Sequence, residues 1–139
     1  MNKILLDTVT VSEIRRGQKG NANVWKWQQG FRSASLSVIS LNEILYGIHK
    51  VSPKDPRFAS TLTDWYDAIL SRPSHYRVLG IDHAIAEESA RYRAQFGTQL
   101  ADSLIAATAK IHGLTLATRN TVDFTALGIS VVNPWEYEG

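Results

Sequence analysis

Ile4-Leu5-Leu6-Asp7-Thr8 opens the chain with three aliphatic residues that stop on an acid. An apolar run this short, bounded by polar residues, reads as a strand buried on both faces, here Lys3 to Thr8. Strands of that kind belong to parallel sheets, where helices carry the chain from one strand to the next. The rest of the sequence keeps that rhythm. Thr10-Val11-Ser12-Glu13 matches a capping box and predicts a short helix stopping near Gly17. Asn21 or Asn23 caps a second helix, which carries Trp25 and Trp27 and ends near Gly30. Ser33 to Val38 follows as a second strand.

Ser40-Leu41-Asn42-Glu43 is another capping box, and Leu41, Ile44, Leu45 and Ile48 then recur at helical spacing. Asp55-Pro56 is a cap with proline at the first helical position, and the helix runs to about Ser71. Tyr76 to Ile81 is a third strand. Asp82 caps a helix ending at Gly97, and Leu100 to His112 is the most apolar helix, closed by Gly113. Leu114 to Thr118 is a strand, Thr121 to Leu127 a helical turn, and Ile129 to Val132 a last strand. This alternation predicts an α/β fold: a three-layer α/β/α sandwich around a mostly parallel sheet, with residues 1–139 as one domain.

Bulk properties fit that expectation. With 44% hydrophobic and 20% charged residues, the chain resembles neither a disordered segment nor a membrane protein. The absence of cysteine excludes disulfides and thiolate metal sites. The apolar run at the N-terminus is too short for a signal peptide, so the cytoplasm is the expected compartment. A net charge of +2 makes local basic clusters more informative than the total. Arg15, Arg16 and Lys19 crowd behind the first strand, Arg72 and Arg77 form a later pair, and Arg91 and Arg93 another.

Asp7, Glu43, Asp102 and Asp123 each stand where an apolar strand gives way to polar chain, or early in a following helix. In a parallel sheet those places meet outside the carboxyl ends of the strands. Gathered carboxylates repel, by roughly 3 kcal/mol per pair at ~5 Å and an effective dielectric near 20. A hard divalent cation removes that cost, which points to metal-assisted phosphodiester cleavage. Asp7 and Asp102 read as ligands. Glu43 has a local alternative, returning a hydrogen bond to the backbone of Ser40 within the capping box. Asp123 reads either as a ligand or as the holder of a water, with Asn120 as a cap ahead of it.

Other chemistries find little support. His49, His75, His83 and His112 fall on separate elements without ligand spacing. No glycine-rich phosphate loop and no nucleophile elbow occurs. A receiver-like phosphoacceptor domain would need a lysine near the phosphate, and Lys110 sits in the middle of a helix. Trp25, Trp27, Trp65 and Trp135 read as packing residues.

Taken together, Leu5-Leu6-Asp7-Thr8, Ser40-Leu41-Asn42-Glu43-Ile44-Leu45-Tyr46-Gly47-Ile48, Ala101-Asp102-Ser103-Leu104-Ile105-Ala106-Ala107-Thr108-Ala109, Thr118-Arg119-Asn120-Thr121-Val122-Asp123-Phe124 and Asn133-Pro134-Trp135 resemble, in order and spacing, the PIN-domain ribonucleases. The resemblance is closest to VapC-type toxins of bacterial toxin–antitoxin pairs, including their FitB-like branch. It implies an endoribonuclease dependent on Mg²⁺ or Mn²⁺, with Asp7, Glu43, Asp102 and Asp123 as the acidic set. It also implies a homodimer and a small DNA-binding antitoxin that covers the site. Arg15, Arg16, Lys19 and Arg119 would then meet the RNA backbone, with Thr118 and Asn120 beside them. One position departs from the family: Val9 stands where asparagine usually follows Asp-Thr. Valine cannot hydrogen-bond, so the expected nuclease is weakened unless the Thr10 hydroxyl substitutes. The alternative is an inactive PIN-like module that binds antitoxin or RNA.

Overall fold

A computed structural model describes residues 3–71 and 74–139. Of the basic pairs, Arg72 lies outside the described residues. Five strands, β1 (Ile4–Leu6), β2 (Ala34–Ser37), β3 (Tyr76–Leu79), β4 (Thr115–Ala117) and β5 (Val131–Val132), form one sheet in the order β3-β2-β1-β4-β5. Every pairing in it is parallel. Helices α1 (Thr8–Arg15), α2 (Ala22–Gln28), α3 (Val38–Val51), α4 (Pro56–Leu70), α5 (His83–Phe96), α6 (Leu100–His112) and α7 (Thr121–Thr125) connect and cover the strands, with single 3-10 turns at Gly17–Lys19 and Pro134–Glu136. No described helix is long and apolar enough to cross a membrane.

The central strands show why two helical layers form. Successive side chains of a strand point to opposite faces. Leu5 and Leu116 accordingly join a core with Ile85, Tyr92 and Ile105 from α5 and α6, and Phe124 from α7. Their neighbours Leu6 and Ala117 face the other way, among Val11, Ile44, Ile48 and Ala59 from α1, α3 and α4. Leu5, Leu6, Leu36 and Leu116 are completely buried. Burying one such side chain stabilises the fold by roughly 1.5–3 kcal/mol. The α/β/α sandwich expected from the sequence is the fold observed.

Starting from β1, the chain steps outward to β2 and β3, then returns to place β4 on the other side of β1. The carboxyl ends of β1 and β4 therefore border the crevice where the strand order reverses. The Asp7 N–H donates to the Ala117 carbonyl at 3.1 Å, and the buried Thr10 hydroxyl donates to the same oxygen at 3.0 Å. These two bonds tie the end of β1 to the end of β4.

Two helix starts differ from the capping boxes read in the sequence. The N-cap of α1 is Asp7, whose Oδ1 accepts from the Thr10 N–H at 2.8 Å. Thr10 is thus inside the helix, and Glu13 instead accepts from the Asn21 N–H. Likewise α3 is capped by Ser37, which accepts from the Ile39 N–H at 3.0 Å, and Ser40 is buried within the helix. Asn21, Asp55 and Asp82 cap α2, α4 and α5 as expected. Gly97 and Gly113 end α5 and α6 at φ of 69° and 65°, a left-handed conformation that suits glycine.

Candidate active site

Each of the four acids is brought to the switch-point edge by a different element. Asp7 follows β1 directly and is half-buried. Its Oδ1 is committed to the first turn of α1, which leaves Oδ2 for another partner. Glu43 lies in the second turn of α3, too far along for a return bond to a cap. It accepts a hydrogen bond from the Thr8 hydroxyl instead, at 2.5 Å. Asp102 is the third residue of α6, and Asp123 the third of α7.

Asn120 makes no cap bond through its side chain. Its amide donates to Asp123 Oδ2 at 3.0 Å, which holds that carboxylate beside the end of β4.

Electrostatics place the four in one neighbourhood. Asp102 sits in the first turn of a helix whose preceding residue, Gln99, supplies no side-chain cap, and open N–H groups there favour an anion. Its carboxyl is nevertheless pushed above the ordinary aspartate range. Burial is the main cause, followed by the charges of Glu43, Asp7 and Asp123. Desolvation and three like charges together outweigh the helix terminus. Asp102 keeps much of its surface in solvent, so the enclosed edge expected for it is only partly realised.

Among the described residues, none of the four acids forms an ion pair with lysine, arginine or histidine; the ion pairs there join Arg16 to Glu13, His83 to Glu87 and Arg91 to Glu88. Nor do three acidic or histidine side chains among them stand close enough to cage an ion without rearranging. The donor set itself is all carboxylate oxygen, which suits Mg²⁺ or Mn²⁺ and not a thiol- or imidazole-seeking metal.

Two recesses flank the group. One, of about 450 Å³, has Asp102 and Asp123 in its wall with Phe96, Gln99, Phe124 and Leu127. The other is lined by Ile39, Glu43, Tyr46, Leu100 and Leu104. Tyr46 and Leu100 are both more than half exposed.

The basic residues divide. The Arg15 guanidinium lies 5.7 Å from the ring centres of both Phe58 and Trp65, so its charge packs against α4. Arg16 bonds Glu13 and the Lys19 carbonyl, while the Lys19 side chain is exposed. Arg119 follows β4 and stacks on Trp135 at 5.3 Å. Thr118 is completely buried, and its hydroxyl accepts from the Asn120 N–H at 3.0 Å. It shapes the turn and offers no surface to a substrate. Thr10 is equally unavailable, because its hydroxyl is spent on Ala117. Val9 is 57% exposed on α1. Sequence reasoning overlooked Thr8 and Ser40, whose hydroxyls meet beside Glu43. The usable signal was spacing, since Ser40 is one helical turn before Glu43.

The three-layer sandwich with acids at its switch-point edge fits the PIN class, and residues 4–129 match the family model described as the PIN domain. The chain belongs to the PIN-domain family. Among curated relatives it is 38% identical to the plasmid stability protein StbB of Pseudomonas syringae pv. tomato, over 96% of this chain and 99% of the relative. It is 33% identical to the toxin FitB of Neisseria gonorrhoeae, over 95% of this chain and 98% of that protein. It is also 33% identical to the VapC ribonuclease Y4jK of Sinorhizobium fredii, over 96% and 98%. Among solved structures, FitAcB from Neisseria gonorrhoeae aligns with a TM-score of 0.74 at 32% identity, covering 96% of this chain and 99% of that one.

Proposed function

We propose that this chain is the toxin of a VapBC-type pair, an endoribonuclease that hydrolyses RNA phosphodiester bonds with Mg²⁺ or Mn²⁺ as cofactor. The observation that carries the proposal is the set of four carboxylates at the switch-point edge, which no cationic side chain among the described residues neutralises. A relative named as a VapC ribonuclease and another named as the toxin FitB support the reading.

Asp7 (through Oδ2), Glu43 and Asp102 are the residues that would hold the cation. Such an ion supplies Lewis acidity, acidifying coordinated water and neutralising charge on the phosphoryl oxygens. The protein's own share is orientation. Thr8 holds Glu43, the α1 cap holds Asp7, and Asn120 holds Asp123, whose free oxygen is a ligand or a positioner of water. Arg119 and Lys19, and Arg16 beyond its pairing with Glu13, are the cations that would meet phosphates. Their contacts fix the register of the RNA and carry no sequence information.

The partner is a small DNA-binding antitoxin in the cytoplasm, and the toxin is a homodimer. Exposed Tyr46 and Leu100, beside Glu43, supply apolar surface for one of those contacts. A second reading, an inactive module that binds antitoxin or RNA, is favoured by Val9 alone. A cleavage assay on single-stranded and folded RNA separates the two. Cutting that stops in EDTA and returns with excess Mg²⁺ or Mn²⁺ supports the nuclease. Absence of cutting under every metal condition leaves the binding module.

A further inference from the structure

Arg119 lies in the turn that leaves β4, and its neighbours on both sides are fixed. The Thr118 N–H donates to the Val132 carbonyl at 2.9 Å, and the buried Thr118 hydroxyl accepts from the Asn120 N–H at 3.0 Å. Asn120 in turn holds Asp123. Among the described residues, the exposed Arg119 side chain has no carboxylate within ion-pair reach and no hydrogen bond to the protein. What holds it is a ring: the guanidinium carbon lies 5.3 Å from the ring centre of Trp135. The face of an indole attracts a cation without taking up its N–H donors. A carboxylate partner would occupy those donors.

The backbone around Trp135 is tied down. β5 ends at Val132, on the same edge of the sheet as the end of β4. Asn133 caps the 3-10 turn that follows, with its Oδ1 accepting from the Trp135 N–H at 3.0 Å, and Pro134 is buried. The Trp135 carbonyl accepts from Asn23 Nδ2, on α2, at 2.7 Å. A half-buried ring on a pinned backbone is a firmer support than the long, rotatable side chain that rests on it.

We propose that Trp135 is a positioning residue: its ring holds the Arg119 guanidinium at the carboxyl edge, with its donors unspent, for a phosphate of RNA. This rests on the RNA-directed reading above. The experiment keeps the two apart by measuring binding in EDTA, where metal-dependent cutting is silent. The affinity of the full chain for a fluorescent single-stranded RNA is followed by anisotropy over a range of salt. Wild type, Arg119→Gln, Trp135→Leu, the double variant and Trp135→Phe are compared. Arg119→Gln should weaken binding ~10-fold at low salt and flatten the plot of log affinity against log salt by ~0.7, the share of one phosphate on a single strand. Trp135→Leu should weaken binding ~5-fold, the scale of one cation–π contact. In the Arg119→Gln background it should cost nothing further, because the ring acts through the guanidinium. Trp135→Phe, which keeps an aromatic face, should bind within about twofold of wild type.

Equal losses from Trp135→Leu in both backgrounds mean that the ring stacks on a base or only supports the fold, and overturn the proposal. Unchanged affinity in Trp135→Leu or in Arg119→Gln does so too. Trp135→Met, flexible and without a ring, carries the same comparison if the leucine variant does not fold. The expected pattern in a chain that cuts no RNA under Mg²⁺ or Mn²⁺ removes the nuclease reading and keeps this inference. A wild-type chain that binds no RNA removes this inference, and the cleavage assay then decides the nuclease by itself.

Discussion

Glu88 on α5 and Asp102 on α6 are acids on adjacent helices of the same layer, and their carboxyls are displaced in opposite directions. Glu88 is met by Arg91 one turn later, with N–O contacts of 3.0 and 2.6 Å. That hydrogen bond, above all else, holds the Glu88 carboxyl below its usual range. Asp102 has no such partner and is held above its usual range, by burial and then by Glu43, Asp7 and Asp123. The difference separates two uses of charge. A carboxylate answered by its own helix serves the fold, whereas one left among like charges is a candidate for binding something from outside.

The largest expected effect is on chemistry at the unanswered acids. Asp7→Asn keeps an oxygen that can cap α1 but removes a charge from the group, so RNA cleavage should fall at least ~100-fold with the folded state retained. Circular dichroism and the cleavage assay check the two halves, and full activity in this variant would break the contrast with Glu88. A smaller gain is expected from Val9→Asn. The position is exposed, so the amide has room, and cleavage should rise by up to ~10-fold as a hydrogen-bonding group is restored beside the acids. No increase means that Thr8 and Asn120 suffice.

Stability should respond to pH with opposite sign at the two acids. A carboxyl whose pKa is raised by folding penalises the folded state at neutral pH, and the penalty fades as pH falls through the raised value. In EDTA, Asp102→Asn should therefore melt a few degrees above wild type at pH 7, with the gap closing toward pH 4. Glu88 is the reverse case: its contribution is present above the ordinary glutamate value and is lost as pH falls through the lowered one. Glu88→Gln should melt slightly below wild type at pH 7 and level with it in acid. That shift is the smallest of the set, because exposed ion pairs contribute ~1 kcal/mol or less. A destabilised Asp102→Asn would mean that the aspartate is structural after all.

Much of the fold was legible because its signals are local. Gly97 and Gly113 end helices, Asp55 and Asp82 start them, and the short apolar runs around Leu5 and Leu116 read as buried strands. The two misplaced caps share one cause. Asp7 and Ser37 stand three residues ahead of Thr10 and Ser40, close to one helical turn, so both choices leave the same face buried and the hydrophobic pattern cannot choose between them. The oxygen-bearing residue at the strand's end won in both cases: Asp7 directly follows β1, and Ser37 is the last residue of β2. The acids could be found by position, but their neighbours could not. The Thr8 contacts to Ser40 and Glu43 span 32 and 35 residues of chain, and Arg15 turns to Phe58 and Trp65 across a comparable gap. Contacts of that range follow from strand order, which local spacing does not encode.

β1 lies at the middle of the sheet, yet one of its two neighbours is drawn from residues 115–117. During synthesis the first strand must wait for almost the whole chain before that side is filled, and Asp123 comes later still. Long-range pairing of this kind makes folding slow and concerted. On the proposed reading, a ribosome carrying an unfinished copy therefore holds no assembled set of the four acids.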